Sequence, residues 1–181
     1  MCEHDQLAFW TKLLHLDGYQ VVHESATAPD EPRCFTVIPK TSMAVCPHCG
    51  QASDDIHRRT ESDRVHDLPI GTRAVVLTVR TYQYWCAVCD RAFTPPPPSF
   101  LIPGGHATER FLEQARQLID FGDIANAAAF LKVPENSLGR WYYDYLERRQ
   151  QQPADPPLRP ILQLGIDELS LKKSTVSSSP S

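Results

Sequence analysis

The chain has 181 residues, 41% of them hydrophobic and 22% charged, which suffices for one medium domain or two to three small ones with a packed core. A formal net charge of −4 and an isoelectric point near 5.9 exclude a protein that is basic throughout, such as a histone-like protein. No apolar run approaches the ~18 residues of a membrane-spanning helix, and the N-terminus is polar and acidic, unlike a secretory signal. We therefore expect a cytoplasmic protein with no membrane partner.

The first part of the chain predicts one short helix followed by strands. A helix is predicted near 6–16, where four apolar residues recur at helical spacing: Leu7, Trp10, Leu13 and Leu14. Runs rich in β-branched and aromatic residues predict three strands, over 19–23, 35–38 and 74–84. The stretch 51–64 is polar, and residues 66–69 are expected to form a loop.

Helical patterning follows a proline-rich connector in the middle of the chain. Thr108 is a predicted N-cap for a first helix that ends at Gly122. Two further helices are predicted over 123–131 and 137–149, with a turn between them that contains Pro134. Beyond them the sequence predicts a polar proline-rich linker, a short buried strand and a serine-rich disordered tail, over 150–160, 161–166 and 174–181 respectively.

Four of the six cysteines form two C-x-x-C pairs, Cys46 with Cys49 and Cys86 with Cys89. Two residues between cysteines let one tight turn aim both sulfurs at a single ion, and Gly50 permits the positive φ that such a turn often needs. Four thiolates make the closed tetrahedral set of a structural site, so we predict one Zn²⁺ per chain. The 36 residues between the pairs exceed common finger spacings and predict a zinc ribbon, with each knuckle at the tip of a β-hairpin.

Three other interpretations of these cysteines are less favoured. A thioredoxin-like redox pair requires a C-x-x-C motif at a helix start after a strand, and neither pair has that setting. A catalytic zinc requires an open position for water, which four thiolates do not leave. Two buried pairs without metal are the third alternative. The nearby histidines His48, His57 and His66 are expected to be solvated loop residues. The other two cysteines, Cys2 and Cys34, are expected to be free thiols.

Residues 123–149 have the layout of a helix-turn-helix. Small Ala128 lies where a neighbouring helix must approach closely, and Leu138 and Trp141 are placed to pack the second helix onto the first. The exposed start of the second helix then supplies the base contacts, through Asn136, Ser137 and Arg140. Its end supplies phosphate contacts, through Arg148 and Arg149. An ordinary three-helix bundle with its aromatic residues in the core is the alternative that the pattern leaves open.

Further motifs surround the two cysteine pairs. In chain order the motifs are Cys46-Pro47-His48-Cys49-Gly50, His66-Asp67-Leu68-Pro69, Trp85-Cys86-Ala87-Val88-Cys89, the helix-turn-helix and Leu164-Gly165-Ile166-Asp167-Glu168. This order resembles the N-terminal part of bacterial insertion-sequence transposases of the ISL-three type, over roughly residues 10–173. The resemblance implies a nucleoid-associated protein whose zinc ribbon and helix-turn-helix bind double-stranded DNA at the element's terminal inverted repeats.

The resemblance also implies a catalytic domain of ribonuclease-H-like fold, in which an Asp-Asp-Glu set of carboxylates binds two divalent ions. Asp167 matches the first of those carboxylates. Serine-rich sequence follows Lys173, so we expect a truncated transposase with the first strand of that domain and an incomplete carboxylate set. Such a fragment is not an enzyme by itself. Its expected protein partners are a second copy or a full-length transposase.

The expected fold class is therefore α+β, with a small β-rich zinc ribbon, a three-helix helix-turn-helix unit and one leftover strand. The predicted segments are an N-terminal helix and hairpin (1–45), the ribbon (46–94), a linker (95–106), the helix-turn-helix (107–149), a second linker (150–160), the strand (161–173) and the tail (174–181). A zinc-ribbon adaptor for a protein partner is the alternative function, supported by the acidic residues 1–33. An active nuclease is a third hypothesis.

Overall fold

The computed structural model of this chain describes residues 3–25, 28 and 31–151. The predicted strand at 161–173 with Asp167, the tail at 174–181 and all but the start of the 150–160 linker lie outside the described residues. Within the described part of the chain, no helix is long and apolar enough to cross a membrane.

The described residues form an α+β structure with seven strands and four helices. The strands are β1 (Tyr19–Ser25), β2 (Arg33–Pro39), β3 (Ala44–Val45), β4 (Ala52–Ser53), β5 (Ile56–Ile70), β6 (Arg73–Cys86) and β7 (Arg91–Phe93). The helices are α1 (Glu3–Leu14), α2 (Glu109–Asp120), α3 (Ile124–Leu131) and α4 (Glu135–Gln151). The mixed α+β class is confirmed.

A five-stranded sheet is the centre of the fold, with strand order β1-β2-β6-β5 and β7 paired to the end of β6. Strands β2 and β6 are parallel, with Arg33 opposite Val75 and Val37 opposite Val79, and the other pairs are antiparallel. The sheet therefore joins strands from both sides of position 45, where a segment boundary is predicted. Strands β3 and β4 form a separate small hairpin.

Helix α1 covers one face of this sheet. Its Trp10 and Leu14 pack against Phe35 and Val37 of β2 and Leu77 of β6, all of them buried. The ring centroids of Trp10 and Phe35 lie 5.2 Å apart. Alternate residues of β2 and β6 are buried, as expected for strands with one face toward an apolar layer. The predicted helix near 6–16 is confirmed, although it begins at Glu3 and ends at Leu14.

Strand β5 differs from the sequence expectations. The polar stretch 51–64, for which no strand is predicted, forms β4 and the first half of β5, and residues 66–69 belong to β5 rather than to a loop. Most of the first half of β5 is exposed, so polar side chains are compatible with strand structure there. Because β5 is an edge strand, Pro69 can occupy it without removing a hydrogen bond from the sheet interior.

The three C-terminal helices lie close to their predicted positions. The N-cap prediction for Thr108 is confirmed, because its hydroxyl oxygen accepts a hydrogen bond from the Phe111 amide at 3.3 Å. Helix α4 begins at Glu135, two residues before the predicted start. The Pro134 carbonyl accepts hydrogen bonds from Ser137 and Leu138 at 3.0 and 3.1 Å, which starts the helix there. Buried residues of all three helices form a second core: Phe111, Leu112, Leu131, Leu138 and Trp141.

Candidate metal centre

The first cysteine knuckle closes the β3–β4 hairpin. The Cys46 amide donates to the Gln51 carbonyl at 2.9 Å, and the Gly50 amide donates to the Cys46 carbonyl, also at 2.9 Å. Gly50 has a φ of +75°, and nothing lies within 4 Å of where a Cβ would be. The requirement for glycine is therefore conformational, since this backbone region disfavours residues with a Cβ. This turn directs Cys46 and Cys49 to the same side.

The second knuckle connects β6 to β7 and repeats this conformation without a glycine. Cys86 pairs with Arg91 across the β6–β7 hairpin. Asp90 occupies the position that corresponds to Gly50 and has a φ of +52°. Aspartate is among the few residues with a side chain that visit this region with some frequency. The two knuckles therefore share a turn geometry, although only the first has a glycine at the position with positive φ.

The two knuckles bring their four sulfurs into one cluster. The Sγ atoms of Cys46 and Cys89 are 3.9 Å apart, and those of Cys49 and Cys86 are 3.6 Å apart. All four sulfurs lie within 4.8 Å of one another. A tetrahedral site with Zn–S bonds of about 2.3 Å has sulfurs about 3.8 Å apart. The cluster is therefore compatible with one structural zinc.

The surroundings of the cluster are those of a structural site. Cys46 and Cys86 are buried, Cys89 is half-buried and Cys49 is exposed. Tyr84 and Phe93 stack beside the buried cysteines, with ring centroids 5.9 Å apart at 25°. Four protein thiolates complete a tetrahedral shell, so such a centre cross-links two hairpins and has no position for a substrate.

The protonation of two cysteines is strongly perturbed even by the protein alone. Burial opposes ionisation of Cys46, but hydrogen bonds from the His48 and Cys49 amides and from neighbouring thiols outweigh it and lower the pKa of Cys46 to about 7. Hydrogen bonding to Cys49, followed by burial, raises the pKa of Cys89 to about 12. A metal ion bound at this cluster would displace the remaining thiol protons, because cysteine ligates metals as the thiolate.

The long spacing between the pairs is occupied by strands. Most of the 36 residues between Cys49 and Cys86 lie in β4, β5 and β6, so the extended β5–β6 hairpin emerges from the metal centre. The Ser53 hydroxyl donates to the Trp85 carbonyl at 2.5 Å, and the Trp85 amide donates to the Asp55 carbonyl at 2.8 Å. These bonds fasten the β3–β4 hairpin beside the end of β6.

The three histidines considered as substitute ligands lie elsewhere. His48 is exposed in the first knuckle, whereas His57 and His66 belong to β5. The expected loop position is therefore wrong for His57 and His66, and the expected solvation is wrong for half-buried His66 but holds for exposed His57. The His57 ring lies 5.6 Å from Trp85, and half-buried His66 packs against Trp141 and Phe111 at 5.6 and 6.1 Å. In the described residues the metal-ligating cluster contains cysteines alone.

The residues predicted to contact DNA lie at the two ends of α4. At its start, Asn136 and Arg140 are exposed and Ser137 is half-buried. At its end, Arg148 and Arg149 line a small cavity of about 350 Å³. These side chains lie on one helix, which rises about 20 Å between Asn136 and Arg149 at ~1.5 Å per residue. Their contact with nucleic acid stays a prediction.

Sequence reasoning missed a polar contact between the sheet and the helical unit. Asp67 of β5 is buried, and its carboxylate accepts hydrogen bonds from the Thr108 hydroxyl and from the Arg110 guanidinium. The sequence motif His66-Asp67-Leu68-Pro69 contains Asp67 but does not reveal its partners. A carboxylate among Val65, Leu68 and Ile70 is the signal that points to such a buried partner.

Comparison with known proteins identifies the ribbon. Residues 42–89 match the family model described as the zinc-finger of transposase IS204/IS1001/IS1096/IS1165. The match contains all four clustered cysteines, and it confirms the transposase resemblance for that part of the chain. No curated protein matches the chain, and no solved structure does.

Proposed function

We propose that this protein is a DNA-binding part of an insertion-sequence transposase, and that it recognises the terminal inverted repeats of its element. One observation carries this proposal: a zinc ribbon of transposase type spans residues 42–89, with its four cysteines within 4.8 Å of one another. The matched family region is a zinc ribbon and not a catalytic domain. We therefore assign binding, and not strand transfer, to the described residues.

We propose that α3 and α4 form the helix-turn-helix of this module. Ala127, Ala128 and Gly139 are buried between the helices, and a Cβ at Gly139 would lie 3.9 Å from the Ile124 side chain. Small residues at this crossing allow close approach of the two helices. Lys132 ends α3 in the left-handed conformation, with a φ of 57°, and this turns the chain toward α4.

In this proposal the start of α4 supplies the base contacts. Asn136 and Arg140 are one helical turn apart and exposed, and no ion pair of Arg140 is found within the described residues. A guanidinium that is free of carboxylates can form bidentate hydrogen bonds with guanine. Arg148 and Arg149 lie at the far end of the helix, where phosphate contacts are the expected role.

The role proposed for zinc is structural. Cys46, Cys49, Cys86 and Cys89 would hold it, and when bound it neutralises thiolate charge and cross-links the two knuckles. These knuckles terminate the β3–β4 and β6–β7 hairpins, so their cross-link fixes the end of β6, a central strand of the sheet. The sheet in turn contacts the helical unit through Asp67.

A binding titration of the zinc-loaded protein tests the proposal. The duplexes are the terminal repeat of the element and a scrambled sequence of equal length, both at the same salt concentration. We expect tighter binding to the repeat. Arg140→Ala should lower affinity for the repeat about 5- to 150-fold, corresponding to roughly 1–3 kcal/mol, and should reduce discrimination between the duplexes.

The control for this titration is Arg116→Ala. Arg116 lies on α2 and forms ion pairs with Glu113 and Asp120 at 2.6 and 2.8 Å, so its charge is already matched within the protein. We expect this variant to bind the repeat like the wild type. Equal affinity of the wild-type protein for repeat and scrambled DNA would refute specific recognition.

A protein-interaction adaptor is the second candidate, and exposed apolar side chains near the metal centre favour it. Met43, Val45 and Val88 are 57%, 65% and 70% exposed. Val45 and Val88 directly precede Cys46 and Cys89, whose sulfurs are 3.9 Å apart. Affinity capture with and without nuclease treatment separates the two functions, since an adaptor retains its partner after DNA is degraded, whereas a DNA-mediated association is lost.

A further inference from the structure

A groove of about 650 Å³ lies between the sheet and the proline-rich connector that follows β7. Tyr19 of β1 and Tyr82 and Tyr84 of β6 line it on the sheet side, and Pro95–Pro98 lines it on the connector side. Among the described residues that line this groove, none carries a formal charge. Neither the zinc centre nor the proposed DNA contacts on α4 use it.

The chemistry of the groove favours a proline-rich peptide. The Tyr82 and Tyr84 rings meet edge to face at 89°, and Tyr19 meets Phe100 in the same way at 85°. Burial, together with the neighbouring Tyr84 and Tyr82 phenols, raises the pKa of Tyr19 to about 12, so this phenol stays a neutral donor. Aromatic walls with neutral donors are typical of surfaces that bind polyproline II helices. A nucleic acid is disfavoured because no lining cation can neutralise a phosphate.

The end of α4 lies beside one edge of this groove. Arg148 and Arg149, in the last turn of α4, line a second cavity together with Pro103. Pro103 also lines the groove, so the two cavities are adjacent. Gln151 ends α4 and is the last described residue. The C-terminal end of α4 therefore lies close to the groove.

The sequence that follows Gln151 has the composition that the groove requires. Residues 152–160 are Gln-Pro-Ala-Asp-Pro-Pro-Leu-Arg-Pro, with four prolines in nine residues. Nine residues of polyproline II helix span about 28 Å. Its single acidic residue, Asp155, follows Gln151 by four positions in the sequence, and the last turn of α4 carries the opposite charge on Arg148 and Arg149.

We propose that the 152–160 segment docks in this groove as a polyproline II helix of the same chain. The covalent connection to α4 raises its effective concentration to the millimolar range, so even a weak peptide–groove interaction is sufficient. Docking would set the direction in which the chain leaves the helical unit, and would bury tyrosine rings that the groove leaves accessible.

Nuclear magnetic resonance of the full, zinc-loaded chain tests this proposal. We expect nuclear Overhauser effects between the ring protons of Tyr82 and the ring protons of Pro156 or Pro157. We also expect backbone order parameters of Leu158 and Arg159 near the rigid value of about 0.85, and not below about 0.6 as in a flexible segment. Absence of these contacts, with order parameters of the flexible kind, would overturn the proposal.

Two variants with matched controls identify the site. Thr81→Lys places a charge in the groove, and Pro156→Ala with Pro157→Ala removes two rings from the segment without altering a described residue. Each should reduce the Leu158 and Arg159 order parameters below about 0.6. Thr60→Lys is the control for the first, because Thr60 pairs with Thr81 across the sheet but does not line the groove.

The control for the segment is Pro180→Ala, which should change nothing. Unchanged order parameters in both Thr81→Lys and the double proline variant would place the segment elsewhere and refute the site. A mixture of isotope-labelled and unlabelled chains provides the last arm. Contacts that occur only between different chains would show the segment of a second copy in the groove and overturn docking within one chain.

Discussion

Arg110 and Asp67 connect the helical unit to the sheet through an ion pair in which the carboxylate is fully buried. The Arg110 Nε donates to Asp67 Oδ1 at 2.7 Å, and a terminal guanidinium nitrogen contacts Oδ2 of the same carboxylate. A second guanidinium nitrogen donates to the Leu14 carbonyl at the end of α1 at 2.6 Å. One side chain at the start of α2 thus joins β5 and α1. The Thr108 hydroxyl, which donates to Asp67 Oδ1 at 2.7 Å, completes the contact.

Loss of Arg110 is predicted to be strongly destabilising. Arg110→Met leaves the buried Asp67 carboxylate without a countercharge, and we expect unfolding free energy to fall by on the order of 3 kcal/mol. Denaturant unfolding of the zinc-loaded protein measures this. The control is Arg116→Met, which removes the surface ion pairs of α2 with Glu113 and Asp120. We expect this variant to lose less than about 1 kcal/mol of unfolding free energy. Equal losses of unfolding free energy in the two variants would show that the Arg110–Asp67 ion pair stabilises the fold no more than a surface ion pair does.

Zinc content is predicted to depend on the clustered cysteines alone. Purified protein should contain about one zinc per chain, and Cys86→Ser should lower that content and the thermal stability together. Cys34→Ser is the control, because Cys34 lies on β2 outside the sulfur cluster. Metal analysis and thermal unfolding provide the readouts. A metal-free wild-type protein that is fully ordered would contradict the structural role of zinc.

The two knuckle turns are predicted to respond oppositely to substitution. Asp90→Gly removes the steric cost of a Cβ at a φ of +52°, and we expect a gain of up to about 1 kcal/mol. Gly50→Val introduces that cost at a φ of +75°, and we expect a loss of at least about 1 kcal/mol, although space for the side chain is free. Thermal unfolding of the zinc-loaded variants tests both. A stabilising Gly50→Val would contradict the backbone argument.

Stability is predicted to fall in mild acid because of His66. Burial, and then the neighbouring His106, lowers the pKa of His66 from its usual value of 6.5. The unfolded chain therefore binds a proton at a higher pH than the folded chain does. The contribution of His66 to stability is complete above pH 6.5 and is lost as pH falls from there toward the folded pKa.

The variant His66→Phe tests this pH dependence. It removes the titrating group while retaining a ring against Trp141, so the decrease in unfolding free energy between pH 7.5 and 5.5 should become smaller than in the wild type. Because the zinc ligands are also protonated in acid, part of the decrease in unfolding free energy does not come from His66. The effect of His66 is therefore the difference between the decrease in the wild type and the decrease in the variant. His23→Phe, at an exposed position on β1, is the control and should retain the wild-type decrease. An identical decrease in His66→Phe would rule out His66 as the source.

Features that depend on local spacing could be predicted from the amino-acid sequence. The C-x-x-C spacing identified Cys46, Cys49, Cys86 and Cys89, because two intervening residues geometrically suit a chelating turn. Helical periodicity and an N-cap located α2, because both act within one or two turns of a helix. The contacts proposed for Asn136, Ser137 and Arg140 depend on a partner molecule, so they remain predictions.

Contacts between distant segments became evident only in the folded chain. The parallel pairing of β2 with β6 joins residues about forty positions apart, and no local pattern specifies such a register. The polar first half of β5 forms a strand because it lies exposed at the sheet edge, a position that its own residues do not encode. Burial of Asp67 arises only when α2 presents Arg110 and Thr108 to it. The physical reason is common to all three, since each depends on an environment that non-local chain packing creates.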